Sequence, residues 1–336
     1  MKVDILSINV DGIKESPGND LPLLLQGDRR PDMYVEFSQE DARIFTPMKG
    51  STSSMDYSLM EGGGETLVND SIMDGMHLIA HEALNKGQTS QNIITTIYLK
   101  NDKELFGVPQ SGVIALPAGK SGLAFWAQGR GILSTHYSKG VVWVKVPFQH
   151  YSVLFINMHL PVADTGKNNM GFNFRKNKFN EVLKKMKELI DDNTYVIIGG
   201  DLNFRMSKEG VDQLDQLLNG GSLPIPLKEM PYPEGKGPTF TCKFKESKTY
   251  NNCRTTRINN GLKNTNCFDL KRIPSRCDRF LIGGKNGIKV IEQDSGVFLP
   301  KSDHNAIFAS IELGVSSGGG RRVTRKRRSK SRRTSL

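Results

Sequence analysis

The stretch "TYVIIGGDLNFRM", residues 194–206, decides how the rest of the chain is read. Aromatic and β-branched residues run unbroken from Thr194 to Ile198, two glycines follow, and Asp201, Asn203 and Arg205 then alternate with Leu202 and Phe204. An apolar run without alternation is the pattern of a strand covered on both faces. Side chains along a strand repeat every second residue, so Asp201, Asn203 and Arg205 share one side. A buried strand that ends in polar groups is a rigid support that fixes their geometry.

The same design recurs along the chain. "LSINVDG" ends a strand with Asn9, "PDMYVEFSQED" with Gln39 and Glu40, and "LFINMHLPV" with His159. "PSRCDRF" opens a strand with Asp278, and "KSDHNAIF" opens one with Asp303 and His304. A lone Asp after a strand is ordinarily a turn former or helix cap. Carboxylates, amides and imidazoles at six strand termini point instead to one site.

Their chemistry agrees. Glu40, Asp201 and Asp303 are hard oxygen donors suited to Mg²⁺. His159 and His304 can manage protons or donate to phosphate oxygens. Asn9, Asn203 and Arg205 can orient a water or a phosphate without competing for a proton. No GxxxxGKS or GxxxxGKT loop is present, and no GxSxG elbow. The residues read as metal-assisted hydrolysis of a phosphate ester.

Eight β-rich runs are visible: "VDILSINV", "DMYVEF", "NIITTIYL", "GVVWVKV", "YSVLFINMHL", "YVIIGG", "DRFLIG" and "NAIFASIEL". Between them, "RKNKFNEVLKKMKELIDD" repeats Phe179, Val182, Leu183, Met186, Leu189 and Ile190 at helical spacing. "KEGVDQLDQLLNGG" is a second helix stopped by glycines. Residues 245–270 are polar, rich in Asn and Thr, and read as a long loop. The expectation is one α/β domain over 1–313, with a disordered basic tail over 314–336.

The formal net charge is +11 across 336 residues, but nine Arg and Lys lie in that tail and no acid follows Glu312. The folded part is therefore near neutral. The four cysteines form no CxxC pair, so reduced thiols and an intracellular setting are expected. No apolar run approaches the roughly 20 residues of a membrane span. The tail suits peripheral contact with anionic membrane, nucleic acid or nuclear import.

"GGDLNFR" and "RIPSRCDRFL" resemble the paired signatures of the inositol-polyphosphate 5-phosphatases, GDxNFR or GDxNYR and PxxCDR, within the endonuclease/exonuclease/phosphatase superfamily. "PDMYVEFSQE", "KGVVWVKV", "FINMHL", "FRKNKF" and "KSDHNAIFA" resemble further segments of that family, in its order. The resemblance implies a four-layer α/β sandwich of two packed mixed sheets flanked by helices. It implies that Glu40 binds Mg²⁺ with Asn9 nearby and Asp303 in support. It implies that Asp201 helps activate water, that Asn203 positions it, and that His304 contacts the scissile phosphate while held by Asp278. His159 and Asn177 would hold phosphate oxygens. Arg272, Lys271, Lys243 and Arg279 would bind substrate, an inositol phosphate or phosphoinositide. Departures from the family pattern, Ala163 and Arg276 among them, bear on which inositol compound is preferred. A nuclease of the same superfamily and a non-catalytic scaffold are the alternatives.

Overall fold

The computed structural model describes residues 1–10, 31–41, 75–85, 92–116, 138–162, 170–206, 211–220, 223–234, 241, 275–297 and 302–314. Within them the chain runs β1 (Lys2–Asn9), β2 (Met33–Asp41), β3 (Met76–Ala83), β4 (Asn92–Lys100), β5 (Gln110–Ala115), β6 (Gly140–Pro147), β7 (Ser152–His159), α1 (Met170–Met186), β8 (Thr194–Asp201), α2 (Gln213–Gly220), β9 (Leu227–Glu229), β10 (Asp278–Gly284), β11 (Ile288–Val297) and β12 (Ala306–Leu313). These form two six-stranded sheets, ordered β11-β12-β1-β2-β4-β3 and β5-β6-β7-β8-β10-β9.

The two sheets follow one pairing scheme. Each has a single parallel pair at its centre, β1 with β2 and β7 with β8, and antiparallel neighbours outward from it. The sheets lie face to face. Val3, Ile5, Val35 and Phe37 from the first meet Val153, Phe155, Ile197 and Phe280 from the second in one buried cluster. Phe37 and Phe155 touch edge to face, with centroids 6.4 Å apart. Each such side chain contributes about 1.5–3 kcal/mol by leaving water.

The outer face of the second sheet is covered by α1 and α2. Phe179, Val182, Leu183 and Met186 of α1, with Leu214 and Leu217 of α2, bury against Leu154, Ile156, Val196 and Ile198. α1 stops before Asp191, and a short 3-10 turn spans Lys187–Leu189. The carboxylate of Asp191 accepts from the Asn193 backbone and the Thr194 hydroxyl, which favours a turn over another helical residue. α2 starts later than its glycine-bounded pattern suggests, because Asp212 accepts from the N–H groups of Leu214 and Asp215 as its cap.

β8 is pressed between sheets and helices, which is why its last turn holds two glycines. A Cβ on Gly199 would sit 2.6 Å from the Phe37 ring and 2.7 Å from that of Phe280. Gly200 has φ +126, and a Cβ there would meet the Met158 carbonyl oxygen at 2.2 Å. Gly199→Ala should therefore lower stability by about 1–3 kcal/mol through overpacking. A urea midpoint unchanged from wild type would show that the rings can move aside.

Candidate active site

The parallel centres of both sheets deliver their carboxyl ends to one place, which is where open α/β sheets characteristically carry ligands. Asn9 ends β1, His159 ends β7 and Asp201 ends β8. Glu40 lies near the end of β2 at a register shift against β4, with φ 53. This bulge turns its side chain toward the second sheet; without it Gln39 and Glu40 would simply alternate. Asn203 has φ 52. Left-handed backbone at two non-glycine residues costs of order 1–3 kcal/mol each and concentrates at functional sites.

The contacts cross the seam between the sheets. The Asn9 amide donates to Asp201 Oδ2 at 3.2 Å. His159 Nε2 lies 3.2 Å from Asp201 Oδ2 and 3.6 Å from Glu40 Oε1. His304, just before β12, sets Nδ1 2.7 Å from Asp278 Oδ2 and Nε2 3.9 Å from Asp201 Oδ2. Asp303 approaches His304 Nε2 at 3.3 Å. Asn203 donates its amide to Leu160 O at 2.8 Å, and its backbone N–H donates to Asp201 Oδ1 at 3.0 Å. Ser302 fixes the entry to β12: its hydroxyl donates to Asn9 O and accepts from the His304 N–H.

Electrostatics follow from this crowding. Asp201 and Asp278 stand directly opposite each other in the β8–β10 ladder, both buried. Two adjacent carboxylates disfavour each other's charge, and burial with the Asp201 charge beside it raises Asp278 above its ordinary value. Although burial opposes its charge, the carboxylates of Asp278, Asp201 and Asp303 raise His304 to about 10. Burial also opposes ionisation of Asp201, yet His159, His304 and Lys139 hold it well below the usual carboxylate range. Burial and Lys139 together lower His159, leaving it neutral near pH 7.

Two groups join the site that sequence reading missed. Lys139 directly precedes β6, with Nζ 3.0 Å from Glu40 Oε1 and in contact with both ring nitrogens of His159. Its signal was its place at the head of "KGVVWVKV", a segment that resembles the 5-phosphatases, directly before a strand whose first residue, Gly140, pairs with His159. Arg175 is buried on α1 and donates to Gln213 Oε1 at 2.8 Å, which also accepts from the Arg205 N–H. Arg205 in turn donates to Asn203 Oδ1 at 3.1 Å. Burial and the neighbouring Arg205 lower Arg175 to about 10. The signals for Arg175 were its place in "FRKNKF", a segment that resembles the 5-phosphatases, and its helical phase with Phe179, Val182 and Met186 on the apolar side.

A sequence profile of endonuclease/exonuclease/phosphatase family 2 matches residues 6–310. The chain belongs to this family. Its members are hydrolases that use divalent metals. No curated protein sequence matches the chain. Among solved structures, the family fold is shared with the inositol polyphosphate 5-phosphatase domain of SPsynaptojanin, determined with inositol (1,4)-bisphosphate and a calcium ion. That pair has 18% identity and TM-score 0.55, over 93% of this chain and 84% of that one. Cimex nitrophorin, determined as a ferrous NO complex, has 13% identity and TM-score 0.55 over 93% and 98%. A truncated Caenorhabditis elegans TDP2 has 18% identity and TM-score 0.48 over 93% and 97%. The 5-phosphatase domain and the nitrophorin share this architecture, while chemistry resides in the site.

In this family member the residues present suit a divalent cation. Asp201, Asp278 and His304 bring ligand atoms within 4.8 Å of one another. His304 Nδ1 and Asp278 Oδ2 already engage each other at 2.7 Å, however, and the surrounding carboxylates raise the imidazole, which favours hydrogen-bond donation over ligation. The Glu40 carboxylate, already facing an ammonium, with the Asn9 amide oxygen, is the better oxygen pair.

Two expected substrate contacts are placed elsewhere. Arg279 follows Asp278 on β10 and therefore points to the opposite face, fully buried. Its guanidinium donates to Glu229, to Asp212 at 2.8 Å and to Asp215 at 2.8 Å, so it is taken up by three carboxylates on that face. Asn177 is exposed on α1, two residues beyond Arg175 and about 200° round the helix. Lys243, Lys271, Arg272, the 245–270 segment and the tail lie outside the described residues. Among the described residues, no helix is long and apolar enough to cross a membrane.

Proposed function

We propose that the chain is a Mg²⁺-dependent phosphatase that removes the 5-phosphate from phosphoinositides, soluble inositol polyphosphates, or both. The reading rests most on the meeting of Asp201, Asn203, Asp278 and His304 at one end of the sandwich. They come from the three stretches, "GGDLNFR", "PSRCDRF" and "KSDHNAIF", that resemble the 5-phosphatase signatures.

Glu40 and Asn9 would hold Mg²⁺, with Asp303 at the edge of the site, and the ion would neutralise charge on the phosphoryl group. Asp201 orients a water molecule and takes its proton as the water oxygen attacks phosphorus. The bond from phosphorus to the inositol oxygen breaks in line with that attack, and the departing oxygen takes a proton from solvent. His304, kept charged by Asp278, donates to a phosphoryl oxygen, and the Asn203 amide fixes the water. Such preorganised donors act where charge develops. Lys243, Lys271 and Arg272 would read the flanking phosphates. The tail, with nine Arg and Lys, would hold the enzyme at anionic lipid at about 1 kcal/mol per residue near the surface.

Phosphate release from phosphatidylinositol 4,5-bisphosphate, phosphatidylinositol 3,4,5-trisphosphate and inositol 1,4,5-trisphosphate, beside nicking of an abasic-site duplex, tests this. Mg²⁺ should support release from the inositol compounds and chelator should abolish it. Truncation after Leu313 should reduce release from lipid vesicles and leave the soluble substrate unaffected. Nicking without inositol turnover would reassign the chain to a nuclease, and no activity on any substrate would favour a scaffold.

A further inference from the structure

Lys139 is the one cation seated on the Glu40 carboxylate among the described residues, and nothing in the reaction above uses it. Its Nζ lies 3.0 Å from Glu40 Oε1 and reaches His159 Nδ1 at 3.4 Å, with Nε2 closer still. The side chain is only 14% exposed. His159 Nε2 also lies 3.2 Å from Asp201 Oδ2. That nitrogen can donate to Asp201 or accept from Lys139, but not both. The contacts around Lys139 therefore describe one of two arrangements.

We infer that Lys139 is a resident counter-ion of the metal position, whose ammonium and a divalent cation compete for Glu40. This rests on the metal-dependent reading above. The reasoning is electrostatic. Glu40 and Asp201 both face His159 Nε2, at 3.6 and 3.2 Å, with Asp278 opposite Asp201 in the ladder, and carboxylates set this close repel one another unless a cation sits among them. Consistent with that role, burial opposes the charge of Glu40, but Lys139 and His159 hold it at about 2. A divalent ion at the same oxygen would stand next to the ammonium and repel it. Once displaced, Lys139 remains anchored before β6, beside His159 and Glu40, so an incoming phosphate dianion offers its new partner. Metal and phosphate then favour each other's binding through one lysine, and each raises the affinity of the other by the same factor.

The test is binding of Mn²⁺ to the metal-free full chain, with the free ion counted by its electron paramagnetic resonance signal, in the presence and absence of inorganic phosphate. Wild type should bind Mn²⁺ weakly alone and several-fold more tightly with phosphate. Lys139→Met should bind Mn²⁺ about 10-fold more tightly than wild type without phosphate, within the 5–150-fold span of coupled sites, and should gain little from adding it. Lys139→Gln gives the same loss of charge with a polar side chain, so the comparison does not depend on one replacement folding. Lys139→Arg should restore the phosphate effect. Equal Mn²⁺ affinity in wild type and both neutral variants would overturn the counter-ion role alone. No binding that Glu40→Gln removes, in any of the proteins, would overturn both this inference and the metal-dependent reading.

Discussion

Asp201→Asn is expected to lower kcat for inositol 1,4,5-trisphosphate about 10³–10⁴-fold while leaving the fold intact. Asp201 accepts from the Asn9 amide and the Asn203 N–H and lies against both histidines, so one carboxylate organises donors from both sheets. Asparagine preserves the shape but supplies a donor where acceptors are needed, and it removes the charge that would take a proton from water. Loss of general-base function is worth about 10²–10⁴, and loss of one electrostatic stabiliser about 10²–10³. Stability should fall modestly, because the histidines and Lys139 that hold Asp201 below the usual carboxylate range lose their partner, and relief of the like-charge pair with Asp278 across β8 and β10 offsets only part of that. A second readout separates charge from shape. His304 is charged up to about pH 10 partly because Asp201 faces it, so its raised value falls when that carboxylate is neutralised. The protonated form is present below its pKa and lost above it, so the alkaline limb of the residual activity should move to lower pH. Full activity in Asp201→Asn would remove this residue from the chemistry.

Arg279→Met should lose about 3–5 kcal/mol of stability without touching the site. Removing one partner of a buried ionic cluster leaves the others buried and uncompensated. Here the guanidinium, 0% exposed, binds Asp212, Asp215 and Glu229, tying the cap of α2 to β9 and β10. Among the described residues, those carboxylates would retain one cation, Arg276, which reaches Glu229 at 2.5 Å but Asp212 and Asp215 at 3.8 and 4.0 Å. Burial disfavours the charge of Arg279, but Glu229, Asp212 and Asp215 raise its pKa overall. The melting temperature should fall by about 5–8 °C for a domain of this size, and KM of the folded enzyme should be unchanged. A raised KM with unaltered melting would return Arg279 to the substrate face.

That residue also marks how far a sequence can be read. The signature places Asp278 and Arg279 side by side, but a strand sends neighbours to opposite faces, and the period-two rule already contained the correction. The eight strands expected from apolar runs are the inner four of each sheet. β3, β5, β9 and β11 are the sheet edges. An edge needs no continuous apolar run: β5 is largely exposed and β9 has three residues. The polar strand ends were legible because their support is local, a buried strand followed by a donor. Lys139 and Arg175 sit in two of the quoted family-like segments, but their part in the site was not legible, since each joins it through partners distant in sequence. Glu40 was legible as a residue, but the bulge that aims it was not.

Asn157, two residues before His159 on β7, accepts from Gln39 and donates to the carbonyls of Ser38 and Ile94 at 3.2 and 2.8 Å. Apolar side chains hold the two sheets together without caring how far one has slid along the other. A buried amide bonded to a β2 carbonyl and a β4 carbonyl does care. It works like a dowel between two boards, fixing their alignment one step beneath the working edge. Half the reacting groups belong to each board, so a phosphate gripped there clamps the boards as well, and ligand affinity becomes resistance to unfolding.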